Sequence, residues 1–282
     1  MKLNLLREGT TNYKTNKRGS DGFLRIDSPF YKGYYNLYDI HSLNLSMAPY
    51  GTREEILEQR KKLCTDASPA CLEACVAYAG RGFFPNVMKA RQGQVNLFFE
   101  DRAKFMRLFI EDIHKVHDAA MQRPQSFCQR DPKLLDYLPM MVTAIRPNLA
   151  TDVAFETLLE HHGSPMHSFP WIQWYDYTAI LARLGREPAN YSLTFSRKEN
   201  NAKDSRLALE KGYNLAVLFR GGLPETYKVG DVPYKVINGD LHDFRWLDNP
   251  GSDVPVIVGL TPKGRAKKDD TGFVLDYTGP HM

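Results

Sequence analysis

Cysteine is scarce in this chain, four residues in 282, and the four are not spaced as a disulfide framework would be. Long apolar runs are missing too: no stretch suffices to cross a bilayer. The N-terminus, MKLNLLREGTTNYKTNKRG, lacks the apolar centre of a secretory signal. These absences lead to the expectation of a cytoplasmic protein in a reducing compartment, with no membrane partner. No Gly-x-Gly-x-x-Gly follows any candidate strand and no Walker A sequence occurs, which argues against Rossmann-type and P-loop nucleotide binding. No internal repeat is visible. Charge of one sign is barely in excess: 37 basic against 33 acidic residues give +4, a weak pull on anionic partners. The hydrophobic fraction of 43% is globular, and the length allows one large core.

What is present is concentrated. Three of the four cysteines lie in LCTDASPACLEACVAYAGRG, residues 63–82, as Cys64, Cys71 and Cys75 with C-x6-C-x3-C spacing. Ser68 is an N-cap and Pro69 a first helical residue, predicting a helix over about 69–79. Cys71 then sits in the first turn and Cys75 one turn later on the same face. The positive helix end is expected to favour thiolates. Cys64 would fold back from the preceding loop, and Gly80 and Gly82 would end the helix and let backbone approach the sulfurs. Three convergent thiolates suit an iron-sulfur cluster or zinc. The first gap is too long for the common paired zinc pattern, and three cysteines on a four-iron (4Fe-4S) cluster leave one iron open. Cys128 is read as a free thiol, with a fourth-ligand role as the alternative. Buried apolar cysteines and a redox pair are the competing readings of the cluster.

Residues 1–40 read as an irregular N-terminal arm, 41–276 as one domain, and 277–282 as a tail. Strand patterns appear at 41–48, 95–99, 140–145, 171–177, 190–196, 213–219, 234–239 and 254–260. Helical spacing appears at 101–121, 153–162 and 204–212. Strands separated by helices of ordinary length imply crossovers and a parallel sheet. The expected fold is α/β: a complete or partly open parallel β/α barrel, TIM-like, with the cysteine loop after the first strand.

In such a barrel the reactive groups stand at the C-terminal strand ends. That rule selects Asp176, Tyr177, Asp240 and His242 as catalytic candidates. It selects Arg146, Asn148, Asp152, Ser196 and Glu199 as cofactor-binding candidates, with Cys64, Cys71 and Cys75 as metal ligands. Each has a plainer role beside it. Asp152 can cap the helix starting at Val153, Asp176 can orient a loop, and His242, between Asp240 and Asp243, can be base, ligand or loop anchor. Alternatively Asp152, Asp176, Asp240, His242 and Asp243 would hold magnesium for phosphodiester cleavage, with Tyr177 as nucleophile. A basic loop (Lys263, Arg265, Lys267, Lys268) and a basic arm (Lys14, Lys17, Arg18) suit a nucleic acid, or else an ordinary solvated surface. Small-molecule or nucleotide ligands, nucleic acid and a host protein are the candidate partners.

A first strand feeding a three-cysteine loop and then a helix resembles the radical S-adenosylmethionine superfamily, whose usual motif is C-x3-C-x2-C. That resemblance implies an open iron binding the amino and carboxylate groups of S-adenosylmethionine, with Arg146, Asp176 and Ser196 as contacts. Over residues 40–276 the chain is more closely similar to the phage gene product 88 family. The matching pieces are SLNLSMAP (42–49), LC......C...C..YAGRG (63–82), VMKARQ (87–92), FFEDRAKF (98–105), WYDYT (174–178), NYSLTFSRKEN (190–200), VINGDLHDFRWLD (236–248) and VIVGLTPKGRAKKDDTGFV (256–274). Members often have NG-SD where this chain has RPNLATD, so Asn148 and Asp152 are the corresponding polar positions. Many have Cys-Pro where this chain has Cys64-Thr65, a change that leaves the thiol in place. The likeness implies a host-cell cytoplasmic setting and chemistry on nucleotides or nucleic acid.

Overall fold

Apolar residues three and four apart build the helices, and alternation builds the strands they cover. The structure, a computed structural model, describes residues 2–8, 24–27, 35–49, 62–130, 140–249 and 254–279. Three strands come first: β1 (Leu6–Glu8), β2 (Leu24–Asp27) and β3 (Tyr35–Leu45). The helices α1 (Pro69–Glu73), α2 (Pro85–Glu100) and α3 (Arg102–Arg130) follow. Then come β4 (Met140–Arg146), α4 (Phe155–His161), β5 (Ile172–Thr178), β6 (Tyr191–Ser196), α5 (Ala202–Glu210) and β7 (Leu215–Arg220). A hairpin, β8 (Thr226–Val229) with β9 (Val232–Asn238), precedes β10 (Ile257–Leu260) and β11 (Val274–Asp276).

All eleven strands join one mixed sheet in the order β1-β3-β4-β5-β6-β7-β10-β9-β8, with β2 on β3 and β11 on β7. From β3 to β9 every neighbouring pair is parallel, whereas β1 and β2 run antiparallel to β3 and β8 antiparallel to β9. The fold is thus a mixed parallel and antiparallel α/β sheet. Among the described residues the order ends at β1 on one side and β8 on the other, and no pairing joins those edges into a closed cylinder. The cysteine segment follows β3, the first strand of the parallel set but the third of the chain. Within residues 1–40, expected to be irregular, β1, β2 and the first half of β3 belong to the sheet.

The two faces separate by sequence parity. Leu43, Leu45, Ile145, Trp174, Leu193, Phe195 and Val217 point to the helices and meet Phe98, Phe105, Phe109, Ile113, Phe155 and Leu209 in the main core. Ring centroids of Phe98, Phe105, Phe109 and Phe155 lie 5.1–6.4 Å apart in mostly edge-on contacts. The opposite face carries Tyr38, Ile40, Ala144 and Tyr175. It is covered by Phe244 and Leu247 from a strap at the 3-10 turn Arg245–Leu247.

The stretch 95–99, expected as a strand, lies within α2. Val95 and Phe98 are buried, three apart, while Phe99 is 37% exposed, so the period is helical. Among the described residues no helix is long and apolar enough to cross a membrane.

One buried acid ties the first strand to the longest helix. Asp112 of α3, fully buried, accepts the amides of Asn4, Leu5 and Leu6 at 2.6–3.0 Å. Asp112→Ala orphans those amides and is expected to lower stability by about 2–3 kcal/mol. Urea unfolding reads the loss, and hydrogen exchange should show it first at Leu5 and Leu6. Unchanged protection there would contradict the anchoring role.

Candidate functional site

The C-terminal ends of the parallel strands share one edge of the sheet, and the cysteine segment lies on it. Loops from four strands hold it. After β3, Ser46 accepts from Arg91 Nε at 2.9 Å, and Arg91 Nη1 donates to Ala77 O at 2.5 Å. After β4, Asp152 N donates to Leu63 O at 3.2 Å, and Cys64 Sγ donates to Ala150 O at 3.8 Å. After β6, Glu199 accepts from Ser68 Oγ at 2.7 Å and Ala70 N at 3.3 Å, while Lys198 Nζ donates to Asp66 O. After β10, Arg265 pairs with Glu73 at 3.1 Å. Gly82 allows the close return of the chain: a Cβ there would stand 2.3 Å from Ala77 O.

Ser68 caps α1 as expected, accepting from Cys71 N at 3.2 Å. The helix is shorter than predicted: it ends at Glu73, and Cys75 opens a separate 3-10 turn, Val76–Tyr78. Cys75 is therefore not one helical turn above Cys71.

All three thiols are half-buried and free. The expected lowering of their pKa by the helix end is overturned. Burial pushes Cys64 well above the ordinary thiol range, and the charges of Asp152, Cys75 and Cys71 push it further. Burial and the Cys75 charge raise Cys71 to about 11, against a lowering by Lys198. Burial raises Cys75, opposed by the Ala77 amide and Arg91. The reason is local: α1 has five residues, and Ser68 and Glu199 already occupy its first amides. Among the three, Cys64 feels the charges of Cys71 and Cys75, and Cys71 that of Cys75. Among the described residues, however, no three His, Cys, Asp or Glu groups are grouped to hold a metal ion. Cys128 falls in α3, with its side chain outside the described set.

Asp152, Asp176 and Arg146 belong to a buried ionic chain with Arg183 and Asp243. Asp176, fully buried, accepts from Asn148 N at 3.0 Å, Asn148 Nδ2 at 2.9 Å and Tyr191 OH at 2.8 Å. Burial raises its pKa to about 7 despite Arg146, Arg183 and these hydrogen bonds. Asn148 Oδ1 in turn takes Thr151 Oγ1 and Val153 N, both at 2.8 Å, and so shapes the loop after β4. Asp152 faces Arg183 Nη1 at 2.5 Å and caps Ala179 N at 2.7 Å. Arg183 also grips Glu156 with two bonds of 2.9 Å.

On the strap side, Arg146 pairs with Asp243 at 2.7 Å, lies 3.7 Å from Asp176, and covers the Tyr177 ring at 4.8 Å. Tyr177 OH donates to Asp243 at 3.4 Å, and burial drives its pKa up, away from a ready nucleophile. Asp240 accepts from Thr261 N and Oγ1 at 2.8 and 2.7 Å, joining the loops after β9 and β10. His242 lies in the strap, 9% exposed, its ring parallel to Phe244 with centroids 6.3 Å apart. Ser196 offers its carbonyl to Asn201 Nδ2 at 2.9 Å.

The acids are therefore interleaved with basic groups: Asp152 with Arg183, Asp176 and Asp243 with Arg146, Asp240 with Lys263 at 3.8 Å, and Asp248 with Arg245 at 3.3 Å. Interleaved charges of this kind support loop architecture better than a shared hard cation. The basic loop is a 3-10 turn, Gly264–Lys268, beside α1. The basic arm at Lys14, Lys17 and Arg18 lies outside the described residues. Sequence reasoning missed Arg91, Lys198, Arg183 and Glu156. Arg91 and Lys198 lay in the quoted blocks VMKARQ and NYSLTFSRKEN, but only their contacts across the fold give them a role.

A family model described as Gene product 88 matches residues 11–277. Searches of curated proteins and of solved structures give no match.

Proposed function

The chain belongs to the gene product 88 family, and from that premise we propose that it is an enzyme built around a thiolate-metal centre. Cys64, Cys71 and Cys75 are its ligands, and a 4Fe-4S cluster with one open iron is the favoured group. One observation supports this reading: loops after β3, β4, β6 and β10 hold the segment that carries Cys64, Cys71 and Cys75 at the C-terminal edge of the parallel strands. That edge is where α/β sheets bind ligands. We read the sheet, with helices on one face and the strap on the other, as a partly open barrel.

The donor set suits a soft metal. Burial and neighbouring negative charge disfavour thiolates at Cys64 and Cys71, and a bound cation would offset that cost by holding them as thiolates. Ligation would require the sulfurs to come closer than their present arrangement. Such a cluster, when bound, supplies an open iron and one electron for cleaving S-adenosylmethionine to a radical. The chain's own residues do the positioning. Glu199 and Ser68 fix α1, Arg91 fixes the turn after Cys75, and the Asp152–Arg183–Glu156 chain fixes the loop under Cys64. The basic 3-10 turn beside α1 favours a nucleotide or another anion as substrate.

The test is the absorption spectrum of protein made with iron supplementation and purified without oxygen, with iron, sulfide and zinc analysis. A brown protein with iron and sulfide is the expected result. A colourless protein with stoichiometric zinc would replace the cluster by a zinc site. Neither metal would remove the reading.

A further inference from the structure

We propose that Lys198 receives a carboxylate or phosphate group of the molecule that binds beside the thiols. This rests on the proposed thiol centre being a ligand site and adds the charge of the ligand. Lys198 is 7% exposed, and its ammonium donates to the Asp66 carbonyl. Among the described residues no carboxylate stands within 4 Å of it. The other deeply buried cations are different: Arg183 faces Asp152 and Glu156, Arg245 faces Asp248, and Arg146 faces Asp243.

The neighbouring carboxylate does not serve it, because Glu199 points to Ser68 Oγ and Ala70 N. A buried ammonium with one neutral acceptor is costly, and such cost is tolerated where a ligand supplies the missing charge. The loop is built to hold that position. Lys198 N donates to Asn201 Oδ1 at 2.6 Å, and Asn201 Nδ2 holds Ser196 O at 2.9 Å. An ammonium has three donors. Asp66 O takes one, and two remain for an oxyanion at the end of β6, next to Cys71, which feels the Lys198 charge.

The experiment is thermal unfolding of the full chain in sodium phosphate or sodium acetate against sodium chloride at equal ionic strength, with and without bound metal. One oxyanion is expected to raise the wild-type midpoint saturably, by roughly 5 °C at one hundred times Kd. Phosphate or acetate as the effective ion identifies the group. Lys198→Met should abolish the rise, Lys198→Arg should change its Kd by more than about threefold, and Lys235→Met, exposed on β9, should leave it unchanged. If Lys198→Met does not fold, the Lys198→Arg and Lys235→Met pair decides the matter. No response to either ion in the wild type, an unaltered response in the Lys198 variants, or loss in Lys235→Met instead, each overturns the assignment. Metal content separates the two ideas. An oxyanion response in protein that binds no metal keeps Lys198 and removes the centre, whereas metal without a response does the reverse. If Lys198→Met loses metal and the metal-loaded wild type ignores both ions, Lys198 is only a counter-ion to the sulfurs.

Discussion

Alanine at Cys64, Cys71 or Cys75 is expected to strip the metal from the protein and leave the sheet standing. A group that merely hydrogen-bonds to a metal ligand is worth about 10–100-fold in affinity. Removing a ligand from a set of three should cost at least the upper end of that range. The visible absorption and the iron content should therefore both fall below about a tenth of wild type in each single variant. The fold should tolerate the change. All three side chains are half-buried at the sheet edge, outside both hydrophobic clusters, so each costs about 1 kcal/mol. Circular dichroism and the thermal midpoint of the metal-free protein check that part. Cys64 is the decisive position, because it comes from a loop and its thiol donates to Ala150 O after β4. Full metal content in Cys64→Ala would show that its sulfur is no ligand, and a three-thiolate centre would be lost with it.

How much of this could be read from the chain divides along physical lines. Strands β4, β5, β6 and β7 announced themselves because each is a short apolar and aromatic run between turn residues, buried at three successive positions. The cap at Ser68 was legible for the same reason: one hydroxyl and one proline set a local geometry. The end of α1 was not legible. The 3-10 turn that replaces its expected continuation is held by Arg91 donating to Ala77 O from another helix, and no local pattern encodes that. Strands β1, β2 and β11 are three or four residues long, too short for a period to appear, and depend on partners far along the chain. The thiol pKa values went the opposite way to the helix-end argument, because burial and like charges outweigh a five-residue helix. The strand-end rule drew its candidates from the C-terminal ends of the parallel strands and the loops after them. It named Asp152, Asp176 and Glu199 as reactive groups, whereas the contacts give each a loop to hold, and it passed over Lys198 between Arg197 and Glu199.

Arg146→Met is expected to be the most destabilising single change in the buried ionic chain. Arg146 sits at its centre: 2.7 Å from Asp243, 3.7 Å from Asp176 and stacked over Tyr177. Burial alone works against its charge, but Asp243, Tyr177, Tyr175 and Asp176 outweigh it and raise its pKa, so it stays protonated throughout. Methionine matches its stem but leaves two acids without their shared cation. The cost of breaking such a buried pair is about 3–5 kcal/mol near pH 8. The penalty should depend on pH in a definite direction. Asp176 has a folded pKa of about 7 against an ordinary 3.8, so between those values the folded state holds a proton that the unfolded state has lost. Stability from this group therefore falls as pH rises through that window. Removing Arg146 takes away the largest influence opposing burial, lifts the folded pKa further, and extends the fall above pH 7. At pH 5 the carboxyl is neutral in both proteins, so the difference between variant and wild type should shrink. Urea unfolding at pH 5 and pH 8 measures both numbers. Adding Asp243→Asn to Arg146→Met should recover part of the loss at pH 8, because one of the two stranded charges is then gone. A penalty equal at both pH values, with no recovery in the double variant, would mean that Arg146 acts through packing on Tyr177 and not through charge.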